Sequence, residues 1–503
     1  MSWTTHNISL TKSYQIFIIN VNCSKLKLNR VNKIMMFTLK PLHIIGFLSI
    51  ILLITIVSVL SGKKVKSADD FITSSKKANS WLVAGTITGV LVGGASTIGT
   101  TQLAFQFGMS AWWFTLGEGI ACLLLFFLIK PLKESRVQTI PQFLSQTYGP
   151  KSIIPSCIFS SAGMFISVVA QLLSLVALIS SMFPLNPLLI AFIGIILMAT
   201  YIIFGGIWGS SLVGIIKIVL IYIFLAIASI FCYKSFGSIG NLKEIFPYYP
   251  WFSLFGRGFI VDSSALFSTL VGVISTQTCI QAVLSGKNIS VSRKGVLLSA
   301  FLIPPTGIAG ILIGFYMRVN YPDINSAQAL PLFIIKHLNP LLSGMALATL
   351  LIAATVTGAS LILGISTMFT RDIYPKFFRF NEKSALLLSR LTIIIILFIA
   401  LLFVKQNLYS LIIKWNFLSM GLRGTTIFFP FLASIFFKDY VSLSAGFWAI
   451  TIAPLSIIIW KIIYPEGLNP VFIGLTISLF ILIGISKISL YNERRKILPE
   501  NNK

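Results

Sequence analysis

The amino-acid sequence predicts an all-α integral membrane protein with about thirteen transmembrane helices. The chain of 503 residues is 56% hydrophobic and only 10% charged, a composition that soluble globular proteins of this length do not have. Apolar runs long enough to cross a bilayer recur along the chain and are bounded by charged or turn residues. One of these runs, at 81–107, has a middle rich in glycine and hydroxyl residues, which is unusual for a helix that faces lipid.

Charged and turn residues divide the chain into its predicted spans. We expect a single transmembrane domain over 41–503, with a core of about 81–437. The spans are placed at 42–61, 81–107, 111–130, 153–182, 188–204, 212–232, 263–284, 295–317, 341–369, 385–404, 407–437, 441–463 and 470–486. The helices at 42–61, 441–463 and 470–486 lie outside the core.

Two spans contain a segment that favours a broken helix. Residues 93–101 read GGASTIGTT and residues 271–279 read VGVISTQTC, and glycine weakens a helix. Irregular backbone at membrane depth is tolerated where it is buried in protein or lines a wet cavity, and many secondary transporters bind their ion and solute at such breaks. Since the two weak points are five spans apart, the sequence predicts an inverted repeat of two five-helix units.

The distribution of basic residues predicts the orientation of the chain. The formal net charge of +26 is explained by lysine and arginine facing the anionic cytoplasmic leaflet. We therefore expect no nucleic-acid partner. One set of loops holds 22 Lys and Arg residues, and the opposite set holds 13, of which 6 lie in the first forty residues. We therefore expect a plasma-membrane protein with its N-terminus outside and its C-terminus in the cytoplasm.

The first forty residues are polar and basic and lack the order of a signal peptide. Two interpretations stay open: a disordered extension over 1–40, or a translation start at Met35 or Met36, which we favour.

Several functional classes are disfavoured by the residues themselves. The five cysteines are scattered with no CxxC pair, the three histidines lie in or beside loops, and the chain has no GxxxxGK[ST] phosphate loop. With only 13 acidic residues, a hydrolytic site is hard to assemble. We expect no enzyme activity, no cofactor, no obligate protein partner, and a small solute and the lipid bilayer as the partners.

Seven short motifs in order resemble the sodium/solute symporter family over about residues 65–440. The motifs are SADDF at 67–71 leading to Trp81, GGAST at 93–97, FQFGMSA at 105–111, TIPQFL at 139–144, FGGIW at 204–208, QAVLSGK at 281–287 and STMFTRDIY at 366–374. The resemblance implies a five-plus-five inverted-repeat core and ion-coupled transport of a small polar organic solute by alternating access.

The resemblance also implies a sodium site, which this sequence supports only in part. Its backbone ligands would be the carbonyls of Ala95, Ile98 and Ala353, and its hydroxyl ligands would stand at Val356 and Thr357. Valine has no oxygen to offer a hard cation, so this Na⁺ site is doubtful. A second sodium site of some members has an aspartate where this chain has Gly214. Its hydroxyl positions are Val356, Ala359 and Ser360, and only Ser360 keeps an oxygen.

Lys217 stands three residues after Gly214, on nearly the same face of the helix. One hypothesis is that its ammonium group replaces sodium, binding the carbonyls of Ala95 and Ile98 and the hydroxyl of Thr357, so that H⁺ becomes the coupling ion or transport is uncoupled. The alternative is that Lys217, near a helix end, extends its side chain to the membrane surface.

Glu118 and Arg423 are ionisable residues predicted at membrane depth, where such groups are candidates for function. Glu118 could bind a cationic group of the solute, or pair with Arg423 as a structural ion pair. Uncharged candidates along the solute path are Gly94, Ser96, Thr97, Gln102, Gln171, Gln277 and Gln281.

Two other functions remain as alternatives to transport. The impaired sodium site would suit a transporter-like sensor that binds solute without moving it. A membrane enzyme such as a lipid-linked glycosyltransferase would need more acidic residues in the external loops than Asp262 and Asp323.

Overall fold

The computed structural model describes residues 39–62, 77–237, 239–377, 382–406, 411–464 and 469–497. Throughout these ranges the chain is helical, apart from turns and an isolated bridge between Ala78 and Gly286. The predicted 1–40 extension, except its last two residues, and the SADDF motif at 67–71 lie outside the described residues.

The first half of the chain contains an initial helix and a group of five spans. The first span of this group is broken into two helices with a π-helical segment, Ala95–Gly99, between them. The helices are α1 (Pro41–Gly62), α2 (Ser80–Leu91), α3 (Thr100–Phe107), α4 (Trp113–Glu134), α5 (Ile140–Tyr148), α6 (Ile153–Ser180) and α7 (Pro187–Phe236), and α7 contains two spans.

The second half repeats this arrangement and ends with two additional helices. Its first span is also broken, between α10 and α11. The helices are α8 (Ile239–Ile245), α9 (Tyr248–Trp251), α10 (Phe259–Ile274), α11 (Gln277–Ser285), α12 (Ile289–Leu302), α13 (Pro304–Asn320), α14 (Ala329–His337), α15 (Pro340–Met368), α16 (Tyr374–Phe377), α17 (Glu382–Gln406), α18 (Ile412–Phe436), α19 (Leu443–Ile463) and α20 (Pro470–Ile497).

Counted by length and hydropathy alone, the described helices give fewer spans than the predicted thirteen. Within the described ranges, 10 helical stretches are long and apolar enough to cross a membrane, or 11 with the bent pair α10 and α11; Ser80–Leu91 and Pro187–Ile203 are apolar but shorter. The predicted loop at 205–211 is shorter than expected, because the two helices of α7 meet directly at a kink at Gly206 (φ 49°, ψ −140°). This left-handed backbone is open to glycine and lets one helix pass directly into the next.

Helix α15 forms the centre of the bundle. Its apolar stretch is entirely buried (100%), whereas that of α1 is only 28% buried. Helix α15 packs against α1, α6 and α7, while α18 packs against α6 and α10, and α2 against α7 and α12. The apolar side chains of the outer helices are exposed, which suits a surface facing lipid.

Glycines bring the backbones of α2 and α7 into direct contact. A Cβ atom at Gly214 would lie 2.0 Å from the carbonyl oxygen of Gly85, and one at Gly89 would lie 3.4 Å from Cα of Gly214. Small residues allow membrane helices to approach in this way. One turn beyond Gly214, the side chain of Lys217 is therefore held against the end of α2.

Short helices close the two ends of the bundle. The connection 233–262, predicted to carry a short helix or lid, contains α8 and α9, and Trp113 Nε1 donates to the carbonyl of Leu254 in it (2.7 Å). At the other end, Thr139 Oγ1 and Gln142 Nε2 at the start of α5 donate to Asp372 Oδ1, at 2.9 and 2.8 Å. Helix α5 thereby joins the end of α15 to the loop after α4.

Candidate functional site

The first helix break lies at Gly93 and Gly94, as the sequence predicts. Helix α2 ends at Leu91, and the π-helical segment begins at Ala95. A Cβ atom on Gly94 would lie 2.3 Å from Cβ of Ser174, so only glycine fits against α6. The backbone N–H of Gly94 donates to Gln171 Oε1 (2.8 Å), which satisfies a group that the break removes from the helix.

Hydroxyl groups complete the hydrogen bonding of this first break. Ser96 Oγ donates to the carbonyl of Leu91 (2.7 Å), and Thr97 Oγ1 to that of Gly93 (2.9 Å). The Ser and Thr residues of the motif are therefore explained by the carbonyls that the break exposes.

The second helix break lies between Ile274 and Gln277, where the chain bends by 47°. Thr276 Oγ1 donates to the carbonyl of Gly272 (2.6 Å). The hydroxyl of Ser275 is buried and has no hydrogen-bond partner. This break agrees with the weak point predicted in the seventh span.

Lys217 is completely buried at the first break. Its side chain is 0% exposed, and Nζ donates to the carbonyl of Gly89 (2.9 Å) and to Thr357 Oγ1 (3.2 Å). Thr357 Oγ1 also donates to Gly89 O (2.9 Å). One ammonium group thus joins α7 to α2 and α15 at two converging oxygen atoms.

This arrangement corrects two of the sequence-based interpretations of Lys217. The side chain does not extend to the membrane surface, because the close approach of α7 to α2 directs it inward. Its carbonyl partner is Gly89 on the last turn of α2, instead of Ala95 and Ile98 beyond the break. The expected contact with Thr357 is present.

The remaining residues of the implied sodium sites are buried in the described bundle. Ala95, Ile98, Ala353 and Val356 are all at most 3% exposed. Ser360 Oγ is 2.6 Å from Ser210 Oγ and donates to the carbonyl of Val356 (2.8 Å). An aspartate could not replace Gly214, since its Cβ would collide with Gly85.

A small cavity lies beside the first break and has room for about one water molecule. It collects five of the residues predicted for the ion and solute sites. It is lined by Val90, Leu91, Ala95, Phe114, Glu118, Ser167, Gln171, Thr357, Leu361, Asn416, Met420 and Arg423.

Glu118 on α4 and Arg423 on α18 both line this cavity. Arg423 Nε donates to the carbonyl of Gly272 (3.1 Å) and Nη1 to Ser419 Oγ (3.2 Å). Both carboxyl oxygens of Glu118 are buried without a hydrogen-bond partner. The ion-pair alternative is not formed within 4.0 Å in this conformation: in the described part of the chain, salt bridges within that distance form at Lys130–Glu134 and Arg257–Asp262.

Sequence reasoning missed Asn416, which lines the same cavity. Asn416 Oδ1 accepts from Ser167 Oγ (2.7 Å), and its Nδ2 is buried without a partner. The spacing of Asn416, Met420 and Arg423 places them on one face of α18. An amide in the middle of a predicted span, one and two turns from two other cavity residues, was the available signal.

Three of the four predicted glutamines lie away from the cavity. Gln102 Oε1 accepts from the backbone of Ile412 (3.2 Å), and Gln281 Nε2 donates to Thr367 Oγ1 (2.8 Å). Gln277 accepts from the backbone N–H of Ile140 (2.9 Å), at the start of α5. In this conformation they join helices, and their contact with solute stays a prediction.

Comparison with known proteins places the chain among membrane symporters. It matches the sodium:solute symporter family over residues 71–452. It is 24% identical over 360 residues to the uncharacterized symporter YwcA of Bacillus subtilis strain 168, covering 67% of this chain and 69% of that protein. It is 24% identical over 452 residues to the human high affinity choline transporter 1, with 79% and 73% covered.

Among solved structures, a Na⁺-coupled sialic acid symporter in a substrate-bound outward-open state has the same fold. The TM-score is 0.74 at 18% sequence identity, and the match covers 89% of this chain and 97% of that one.

Proposed function

Because the chain belongs to the sodium:solute symporter family, we propose that it carries a small polar organic solute across the plasma membrane by alternating access, with H⁺ as the coupling ion through Lys217. The family and fold make it a multi-pass membrane symporter. The coupling ion, the solute and the orientation, with the N-terminus outside and the C-terminus in the cytoplasm, belong to the proposal.

The observation that carries the proton coupling is the position of the Lys217 ammonium. It binds two oxygen atoms, Gly89 O and Thr357 Oγ1, at the end of a broken helix. A helix C-terminus carries a partial negative charge that favours a cation. A lysine fixed there supplies the unit charge that a bound sodium ion would otherwise bring, and the two cannot use the same oxygens at once.

The residues implied for sodium support this assignment. Val356 places a methyl group where a hydroxyl would be needed, and Ser360 is hydrogen-bonded to Ser210 and to the carbonyl of Val356. A hard cation binds through oxygen ligands, and these positions offer few. Loss of the proton from Lys217 would release α7 from α2 and α15, in the same way that loss of sodium would.

The small cavity supports alternating access about this site. It has room for about one water molecule, so a solute enters only when the helices around the breaks separate. The two helix groups meet at this cavity, since α4 and α6 belong to the first and α15 and α18 to the second. Movement of one group against the other would open it to either side.

Two measurements in sequence test the proposal. The purified chain is first screened for thermal stabilisation by small polar solutes in potassium or sodium chloride at equal ionic strength, because a binder of the folded state raises the melting temperature. A solute that binds is then offered to proteoliposomes under an imposed pH gradient, a sodium gradient or neither. We expect accumulation under the pH gradient alone.

Variants sharpen this experiment. Lys217→Gln should abolish gradient-driven accumulation while leaving exchange of solute across the membrane, whereas Lys414→Gln, which changes an exposed lysine of α18, should behave as wild type. Accumulation driven by sodium and not by the pH gradient would refute the role of Lys217. Binding without uptake or exchange under any gradient would support the alternative, a transporter-like sensor.

A further inference from the structure

We infer that the solute is a small zwitterion, with its ammonium group bound by Glu118 and its carboxylate bound by Arg423 and Asn416. This inference rests on the proposed function and names the class of solute for the same cavity. The cavity presents unpartnered acceptor atoms on α4 and unpartnered or available donor groups on α18. A zwitterion has the complementary groups at its two ends.

The acceptor wall is Glu118. Its side chain is 0% exposed, and neither carboxyl oxygen has a hydrogen-bond partner. The nearby hydroxyl of Ser96 donates its hydrogen to the carbonyl of Leu91 instead (2.7 Å). A buried polar group without a partner is costly, and an ammonium group with three N–H donors can satisfy both oxygens.

The donor wall is formed by Arg423 and Asn416. The bonds to Gly272 and Ser419 hold the guanidinium group in place and use two of its five N–H donors among the described contacts. Asn416 Nδ2 is buried without an acceptor on the same face of α18. Guanidinium is suited to carboxylate because its planar N–H groups can donate two parallel hydrogen bonds.

The remaining lining residues restrict the solute to a short carbon skeleton. Phe114, Leu361 and Met420 are apolar members of the lining, and they would contact the carbon atoms between the two charged groups once the helices separate to admit the solute. A zwitterion adds no net charge to the buried groups. A bare cation would be placed near Arg423, and a bare anion near Glu118, so each would satisfy one wall and be repelled by the other.

The test measures binding to the full chain in lipid nanodiscs. The probes are the twenty standard L-amino acids, followed by the amide and the N-acetyl derivative of the tightest binder, which remove the negative and the positive charge respectively. We expect at least one amino acid to raise the melting temperature, and both derivatives to bind at least 100-fold more weakly. Failure of the entire amino-acid panel would overturn the inference, as would equal binding of either derivative.

Charge-removing variants assign the two ends of the solute. Glu118→Gln should weaken binding of the amino acid about 100-fold and leave binding of the N-acetyl derivative unchanged or stronger. Arg423→Gln should weaken binding of the amino acid to the same extent and leave binding of the amide unchanged. The control Glu134→Gln, at the exposed end of α4, should change the affinity for none of these compounds. An unaltered amino-acid affinity in Glu118→Gln with unchanged melting temperature would also overturn the inference.

The outcomes separate this inference from the proposed function. Amino-acid binding that depends on both charges, without uptake into proteoliposomes, would leave the inference standing and remove transport. Uptake of a neutral or singly charged solute, with no amino-acid binding, would support transport and overturn the zwitterion inference.

Discussion

The two helix breaks carry a buried cation in the same relative position. Gly89 lies two residues before the end of α2, and its carbonyl binds Lys217 from the fifth span of the first group. Gly272 lies two residues before the end of α10, and its carbonyl binds Arg423 from the fifth span of the second group. Each cation therefore lies at a helix C-terminus at a break, where the helix dipole favours positive charge.

The difference between the two cations suggests that the two breaks have different roles. Lys217 shares its site with Thr357 and can lose its proton, whereas arginine remains protonated in proteins. Arg423 lines the cavity together with Glu118. The first break therefore holds an exchangeable charge that suits ion coupling, and the second holds a permanent charge that suits solute recognition. Substitutions at the two breaks can test this assignment.

The largest expected difference in stability follows from replacing each cation by methionine, an uncharged side chain of similar length. Arg423→Met should lower the stability of the solute-free protein by about 3 kcal/mol, since the carbonyl of Gly272 loses a donor and the positive charge near buried Glu118 is removed. Lys217→Met should be neutral or stabilising, because Thr357 still donates to Gly89 and a buried unpaired ammonium is removed. Thermal unfolding in detergent measures both.

The double variant Glu118→Gln/Arg423→Met provides the control for this prediction. It should regain much of the stability lost by Arg423→Met, because no uncompensated carboxyl group remains. Equal losses in the two single variants would show that the breaks do not differ in this respect.

A smaller effect is expected from filling the first break. Gly94→Ala would place Cβ 2.3 Å from Ser174, and such overpacking costs about 1–3 kcal/mol. Gly99→Ala, at the far end of the π-helical segment that follows Gly94, is the matched control, because the nearest atom there would be 3.5 Å away. Melting temperatures should fall for the first variant only. An unchanged melting temperature in Gly94→Ala would mean that α6 can move away from the break.

Removing the amide that supports the first break should cost less again. Gln171→Leu leaves the buried N–H of Gly94 without its acceptor, which we expect to lower stability by about 1–2 kcal/mol. Hydrogen exchange should then increase at residues around the break and not in α19. If protection there is unchanged, another group must replace the glutamine oxygen.

The smallest effect is expected at the second break. Thr276→Val removes the hydroxyl that donates to Gly272 O, but Arg423 still donates to that carbonyl, so the loss should be about 0.5–1 kcal/mol. Thr451→Val on α19, which removes a similar bond to Phe447, is the control. A loss well above that of the control would mean that Arg423 alone cannot satisfy the carbonyl.

The sequence predicted the breaks because glycine and hydroxyl residues have local effects on a helix. It also placed Lys217 near Thr357 by resemblance, and the structure has that contact. It could not identify Gly89 as the carbonyl partner, since this depends on which turns of α2 and α7 meet at Gly85 and Gly214.

The span in which a buried charged residue lies was easier to predict than the partner that it contacts. An ion pair with Arg423 was one of the alternatives for Glu118, but the two side chains line the cavity without a salt bridge within 4.0 Å. Glycines at 205 and 206 suggested a loop, yet the positive φ of Gly206 permits a kink at which two helices meet directly. Both differences concern angles that only tertiary packing determines.

The small size of the cavity has a consequence for the energy supply of the cell. A chamber with room for about one water molecule cannot hold a continuous file of water across the bilayer. In this conformation the cavity by itself therefore offers no water-filled route for protons. Under the proposed proton coupling, copies in this state would not discharge the driving gradient through it.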